Sequence, residues 1–122
     1  MRKLSILLLA FLLCGCGKKL VSYHDQVQPI LDNHCTRCHS SEKHRGKVVL
    51  ASYEALMNSH PAIAGKQSLV VPGSSKESRL FVLCATNQPH FRMPPDTSGM
   101  TPLPQPELEV VMKWINQGAM NN

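Results

Sequence analysis

Aromatic residues are scarce in this chain. One Trp, two Tyr and three Phe make up 5% of its 122 residues. The basic residues are scattered rather than gathered in a stripe. The formal charge of +5 therefore has no aromatic interleaving and does not mark a nucleic-acid surface. No apolar run approaches the roughly 20 residues that a membrane-spanning helix needs. Residues 4–13 form a short one, broken only by Ser5. No strand–helix–strand pattern surrounds the cysteines, which argues against a thioredoxin-like dithiol. There is no second C-x-x-C and no H-x₃-H pair, so a closed zinc site lacks an obvious fourth ligand. Internal repeats and low-complexity tracts are also missing.

The N-terminus reads as an address. Arg2 and Lys3 precede the apolar run, in the manner of a secretory signal peptide. Leu13-Cys14-Gly15-Cys16 resembles a bacterial lipoprotein box, in which cleavage before Cys16 leaves that cysteine to be acylated. The competing reading is an ordinary signal peptide with a chance cysteine. The expected division is residues 1–15 as lipoprotein signal peptide, 16–22 as tether and 23–120 as one domain. Lys18 and Lys19 suit an anionic lipid surface. Gly17, rather than an acidic residue, follows Cys16, which by analogy with lipoprotein sorting points to the outer membrane. The expected location is the periplasmic side of a bacterial cell envelope. Of five cysteines, Cys14 is then discarded and Cys16 acylated. Cys84 has no internal partner and reads as a small buried apolar residue.

Cys35-Thr36-Arg37-Cys38-His39 remains, and it carries the chemistry. Two thiols three positions apart, followed at once by an imidazole, match the spacing that attaches a c-type haem. The thiols of Cys35 and Cys38 add across two vinyl groups and become thioethers. His39 then lies next to the iron as its proximal ligand. A redox dithiol and a partial zinc site are the competing readings of the same residues.

Periodicity around the motif is helical. Val27, Ile30, Leu31 and His34 share one helix face, with Pro29 in the first turn. Gly46 breaks the following segment. Ser52 caps a short helix through Met57, which His60-Pro61 ends. Leu69-Val70-Val71 is extended and is closed by Pro72-Gly73. Ser74 and Glu77 form a capping box, so a helix is expected from there, carrying Leu80, Phe81, Leu83 and Cys84 inward. Prolines at 89, 94, 95, 102 and 104 make residues 86–105 a loop. A last helix starts near Pro106, with Glu107 and Glu109 at its positive end. Its buried stripe is Leu108, Val111, Met112 and Ile115, and Gly118 terminates it. The expected class is all-α: three or four short helices with long loops. Such loops need an organising centre, and one covalent haem would supply it.

A proximal histidine leaves one axial position. Met93, in Phe91-Arg92-Met93-Pro94-Pro95, is the first candidate, because a thioether raises the potential and the prolines after it stiffen the loop. Met100 is the second candidate. His90 is the third and would give a bis-histidine haem. His24, His44 and His60 read as surface residues.

These stretches together resemble the small monohaem domains of planctomycete-type cytochrome c. The matching segments are residues 27–31, the Cys35–His39 motif, Ser52 to Leu56, Val71-Pro72-Gly73, Glu77 to Leu80, Met93-Pro94-Pro95, and Trp114-Ile115 with Gln117-Gly118-Ala119. They cover nearly all of 23–120 in the expected order. The resemblance implies a class I-like cytochrome c fold, haem held by Cys35 and Cys38, and His39 and Met93 as axial ligands. The chain departs from the family at Leu103-Pro104-Gln105-Pro106, where a Ser or Thr cap is usual. The expected function is electron transfer by a membrane-anchored monohaem carrier, one haem c per monomer, exchanging electrons with envelope redox proteins. Two rivals remain: gas or peroxide chemistry at an iron whose methionine dissociates, and a zinc-binding structural lipoprotein.

Overall fold

A computed structural model describes residues 17–62 and 68–122. The expected signal peptide and the acylation site Cys16 lie outside the described residues. Among the described residues there are four α-helices and no strand, so the chain is all-α: α1 (Gln28–His34), α2 (Tyr53–Asn58), α3 (Arg79–Ala85) and α4 (Gln105–Asn116). No helix among them is long and apolar enough to cross a membrane.

The helical path begins earlier than the sequence pattern suggests. A wide π-type turn over Tyr23–Val27 runs straight into α1, and the Ser22 hydroxyl caps it by accepting from the Asp25 N–H. Pro29 sits in the first turn of α1, where its missing N–H costs nothing. Ser52 caps α2 as expected, its Oγ accepting from the Ala55 N–H at 3.2 Å. In α4, Pro104 stands at the cap and offers no side-chain bond, so the proline that replaces a Ser or Thr leaves the helix start uncapped. The other end is fully closed. The Gly118 N–H donates to Ile115 O and the Ala119 N–H to Trp114 O. This is a Schellman motif, and the positive φ of 106° at Gly118 makes glycine the natural residue there.

Two expectations need correction. Helix α3 starts at Arg79, not at Ser74. The Ser74–Glu77 capping box does not form, because Ser78 organises this segment instead. Its buried hydroxyl donates to Ser74 O at 2.8 Å and accepts from the Val71 N–H at 2.8 Å. The tight turn that results stands where the first helical turn was expected. The stripe on α4 is also shifted. Val111, Trp114 and Ile115 are buried, whereas Met112 is only partly covered.

Trp114 is the centre of the core. Tyr23 packs against it at 5.4 Å between ring centroids, and Tyr53 meets Tyr23 edge-on at 5.1 Å, an arrangement that suits the ring quadrupoles. Each ring also satisfies its polar tip. Trp114 Nε1 donates to Met120 O, Tyr53 Oη to Ala119 O, and Tyr23 Oη to Gln28 Oε1. Burial, with the Asp32 and Glu54 carboxylates adding to it, pushes the Tyr23 hydroxyl up to about 12, so it stays protonated and donating at neutral pH. Truncating a fully buried Trp to Ala typically costs about 3–5 kcal/mol, a large share of the roughly 5–15 kcal/mol that holds a domain folded.

The chain ends are clasped together. The Val21 N–H donates to Gln117 Oε1, the Tyr23 N–H to Asn122 Oδ1 and the His24 N–H to Asn122 O. Val21, a residue of the expected tether, is buried. This clasp and the aromatic core occupy one side of the domain's sequence elements and leave the Cys35–His39 turn, α3 and the proline-rich loop to build something else.

Candidate haem site

The motif folds as a continuation of α1. The Cys35 N–H still bonds Leu31 O, and then the Cys38 and His39 N–H groups both return to Cys35 O at 3.0 Å. That double turn gathers Cys35, Cys38 and His39 along one edge of a cleft of about 350 Å³. The segment after it is anchored back onto the motif: the Arg45 N–H donates to Cys38 O and the Leu50 N–H to His39 O. Gly46 and Lys47, both with positive φ near 60–70°, turn the chain so that Val48 and Leu50 face inward as cleft walls.

Helix α3 supplies another wall through Leu80, Leu83 and Cys84. It also positions the proline-rich loop, because the Met93 N–H donates to Leu83 O at 2.9 Å. The loop is braced within itself. Arg92 pairs with Asp96, Ser98 Oγ donates to Pro95 O at 2.6 Å, and the Met100 N–H donates to Ser98 Oγ. Met93 and Met100 both line the cleft, and His90 does not. The structure therefore brings Cys35, Cys38, His39, Met93 and Met100 to one cavity, with His90 exposed outside it. His24, His44 and His60 are exposed.

The chemistry of the cavity suits a large apolar ring with a metal at its centre. Its walls are mainly aliphatic, and its volume falls in the range of small-molecule and cofactor sites. His39 is half-buried, and burial pulls its imidazole below the usual histidine range, with polar backbone groups of Val48 and Arg45 opposing the shift. Burial thus favours the neutral ring, the form that ligates a metal. Its Nδ1 is buried and makes no hydrogen bond among the described residues. Burial, with Cys84, Asp32 and Glu107 nearby, pushes the Cys35 thiol up to about 12. Burial does the same to Cys84, which keeps Cys84 an inert apolar wall. Cys35, Cys38 and Cys84 are all free thiols. Among the described residues no three His, Cys, Asp or Glu side chains converge as metal ligands.

Several lining residues carried no sequence signal of their own. His34 was placed on the apolar face of α1. It reaches the cleft and pairs with Glu107 at 2.7 Å, joining the end of α1 to the start of α4. Arg45, Arg79, Thr97 and Ser98 also line the cavity. Arg79 opens α3, and the other three reach the cavity through the fold of the loops that carry them.

Comparison with known proteins agrees with this geometry. The family model described as Planctomycete cytochrome C matches residues 35–97, just over half of the chain. The chain belongs to the planctomycete cytochrome c family. The match opens on the first cysteine of the motif and closes on Thr97, so it spans most of the residues that line the cleft and leaves α1, Met100 and α4 outside. No curated protein and no solved structure matches the chain. Membership in this family implies haem c binding and is consistent with haem-based electron transfer.

Proposed function

We propose that this protein is a monohaem electron carrier with a class I-like cytochrome c architecture, its helices and loops folded around one covalently attached haem c. The observation that carries the reading is the convergence of two thiols, one imidazole and a loop-borne thioether on a single apolar cleft. Each chain group has a defined task. Cys35 and Cys38 would hold the haem through thioethers, each sulfur bonded to one vinyl carbon and the thiol hydrogen added to the other. His39 donates its nitrogen lone pair as proximal ligand. Met93 offers sulfur from a loop fixed to α3 by the bond to Leu83 O. Met100, on the same cleft, is the alternative donor. The aliphatic walls exclude water and lower the local dielectric, which together with thioether ligation favours the reduced form. When bound there, haem c supplies reversible one-electron chemistry at iron.

If His39 and Met93 both ligate the iron, small molecules would have no free site. The ferric protein is expected to show the weak far-red sulfur-to-iron charge-transfer band, and the ferrous protein to bind carbon monoxide slowly or not at all. A missing band with rapid carbon monoxide uptake would move the assignment to gas or peroxide chemistry.

The carrier is placed on the periplasmic side of the cell envelope, anchored through acylated Cys16, with the outer membrane favoured by Gly17. It works as a monomer with envelope redox proteins as partners. Confinement to a membrane surface raises the frequency of encounters with partners held there. Cys16→Ser is expected to shift the haem-stained protein from the membrane to the soluble fraction. Unchanged membrane retention would rule out the acyl anchor.

A further inference from the structure

The clasp between the two ends of the chain carries a small apolar patch. Gln117 sits beneath it: its Nε2 donates to Lys19 O at 3.2 Å, and its Oε1 accepts from the Val21 N–H at 2.8 Å. Leu20 lies between those two bonds and is 51% exposed. Met120 is 39% exposed and is held on the same stretch. Its carbonyl accepts from Trp114 Nε1 at 2.9 Å, and its Cγ lies 3.9 Å from where a side chain on Gly118 would begin. Two large apolar side chains therefore flank Gln117–Gly118 and stay open to solvent. None of residues 17–24 or 114–122 lines the haem cleft, so a haem bound there leaves this patch uncovered.

The clasp also fixes how far the patch stands from Cys16. Ser22 Oγ donates to Asn122 O and the Tyr23 N–H to Asn122 Oδ1, so the chain is tied to the domain from Lys19 onward. Only Gly17 and Lys18 stand between Cys16 and the first tied residue. From Cys16 to Leu20 the chain spans at most about 14 Å when fully extended. A lipid on Cys16 with so short a lead brings this end of the domain, before any other, against the bilayer. Lys18 and Lys19 are exposed and fall within that lead, close enough for an anionic surface to attract them. Two exposed carboxylates border the patch: Asp25, just beyond the Ser22 cap, and Glu54, which accepts from Asn121 Nδ2 at 3.5 Å. Formal charge here is close to balanced, and the apolar pair carries the contact.

We infer that the clasp face, with Leu20 and Met120 at its centre, rests in the headgroup layer of the bilayer, so that the anchored protein holds one orientation instead of swinging on its tether. The inference rests on the acyl-anchor reading. The boundary between headgroups and acyl chains takes up exposed apolar side chains flanked by lysines. The anchor makes the contact intramolecular, so two side chains too weak to bind a membrane by themselves suffice. Seated this way, the residues of the haem cleft stay outside the contact.

The test uses the full-length acylated holoprotein, reduced and isotope-labelled, in nanodiscs of phosphatidylethanolamine and phosphatidylglycerol that carry a gadolinium-chelating lipid. The amides of Leu20, Ser22, Met120 and Asn121 are expected to broaden several-fold more than those of Cys38, Met93 and Ser98. The variant Leu20→Gln, Met120→Gln should keep its lipid and its place in the disc but lose most of that contrast. Val82→Gln, Phe91→Gln removes two other exposed apolar side chains and should keep the contrast. Uniform broadening, or broadening strongest at the cleft residues, would overturn the proposal. So would equal loss of contrast in the two variants. Shifts of the Leu20 and Met120 amides with protein concentration in the soluble Cys16→Ser variant would also overturn it, by assigning the face to a second copy of this chain. Mass spectrometry of each sample separates the two levels of the argument. A chain with no acyl group on Cys16 defeats the anchor reading and the orientation with it, whereas an acylated chain without the contrast defeats the orientation alone.

Discussion

Met93→Ala is expected to leave the haem attached and to lower the reduction potential by on the order of a tenth of a volt or more, within the roughly 0.8 V that axial ligation spans. The direction follows from the donor. A thioether is soft and neutral and stabilises ferrous iron, and water or a nitrogen donor in its place stabilises ferric iron. Attachment survives because Cys35 and Cys38 lie on the α1 side of the cleft, and their turn is held by bonds to Leu31 O and Cys35 O that do not involve the loop. The loop itself should persist, since the Met93 bond to Leu83 O uses the backbone and is retained by alanine. Spectroelectrochemistry of the variant, with loss of the far-red band, checks the assignment. An unchanged potential and spectrum would contradict it. Met100 is the second methionine on the cleft, so the double variant Met93→Ala, Met100→Ala shows whether it substitutes.

His39→Ala is expected to have the larger effect on yield: little or no mature holoprotein, or a haem protein lacking the native low-spin spectrum. His39 does two things at once. Burial in the cleft favours the neutral form of its imidazole, the form whose lone pair can bind a metal. Its backbone carbonyl accepts from the Leu50 N–H at 2.8 Å, which alanine preserves. The variant therefore removes the ligand while leaving the local fold intact, and the loss can be read as a ligand effect. Haem-stained yield and the absorption spectrum measure it. Normal yield with native absorption would show that His39 is not the proximal ligand.

What could be read from the sequence depended on how local the cause was. Ser52 at the start of α2 and Gly118 at the end of α4 were legible because each acts on backbone groups within a few residues. The start of α3 was not. Ser74 and Glu77 have capping-box spacing, yet Ser78 wins the competition by bonding Val71 and Ser74. Trp114 was left out of the stripe on α4 because the periodic set starting at Leu108 is satisfied without it. Its burial is decided by Tyr23 and Tyr53, which come from distant parts of the chain.

The site divides in the same way. The Cys35–His39 spacing and the Met93-Pro94-Pro95 run are local signals, and the fold brings both to one cleft. The walls are not local. Val48, Leu50, Leu80 and Cys84 meet there only because the Arg45–Leu50 segment bonds back to Cys38 and His39 while α3 is tied to the proline-rich loop. The pairing of His34 with Glu107 joins residues that no spacing rule relates.

The central claim is a haem bonded to the chain through Cys35 and Cys38, and denaturing gel electrophoresis of the protein made in a host with a haem-attachment system tests it most directly. The account predicts haem-dependent peroxidase staining that stays with the polypeptide after boiling in detergent, and that disappears in the Cys35→Ala, Cys38→Ala variant. A polypeptide that runs unstained, with no Soret absorption before denaturation, would contradict it.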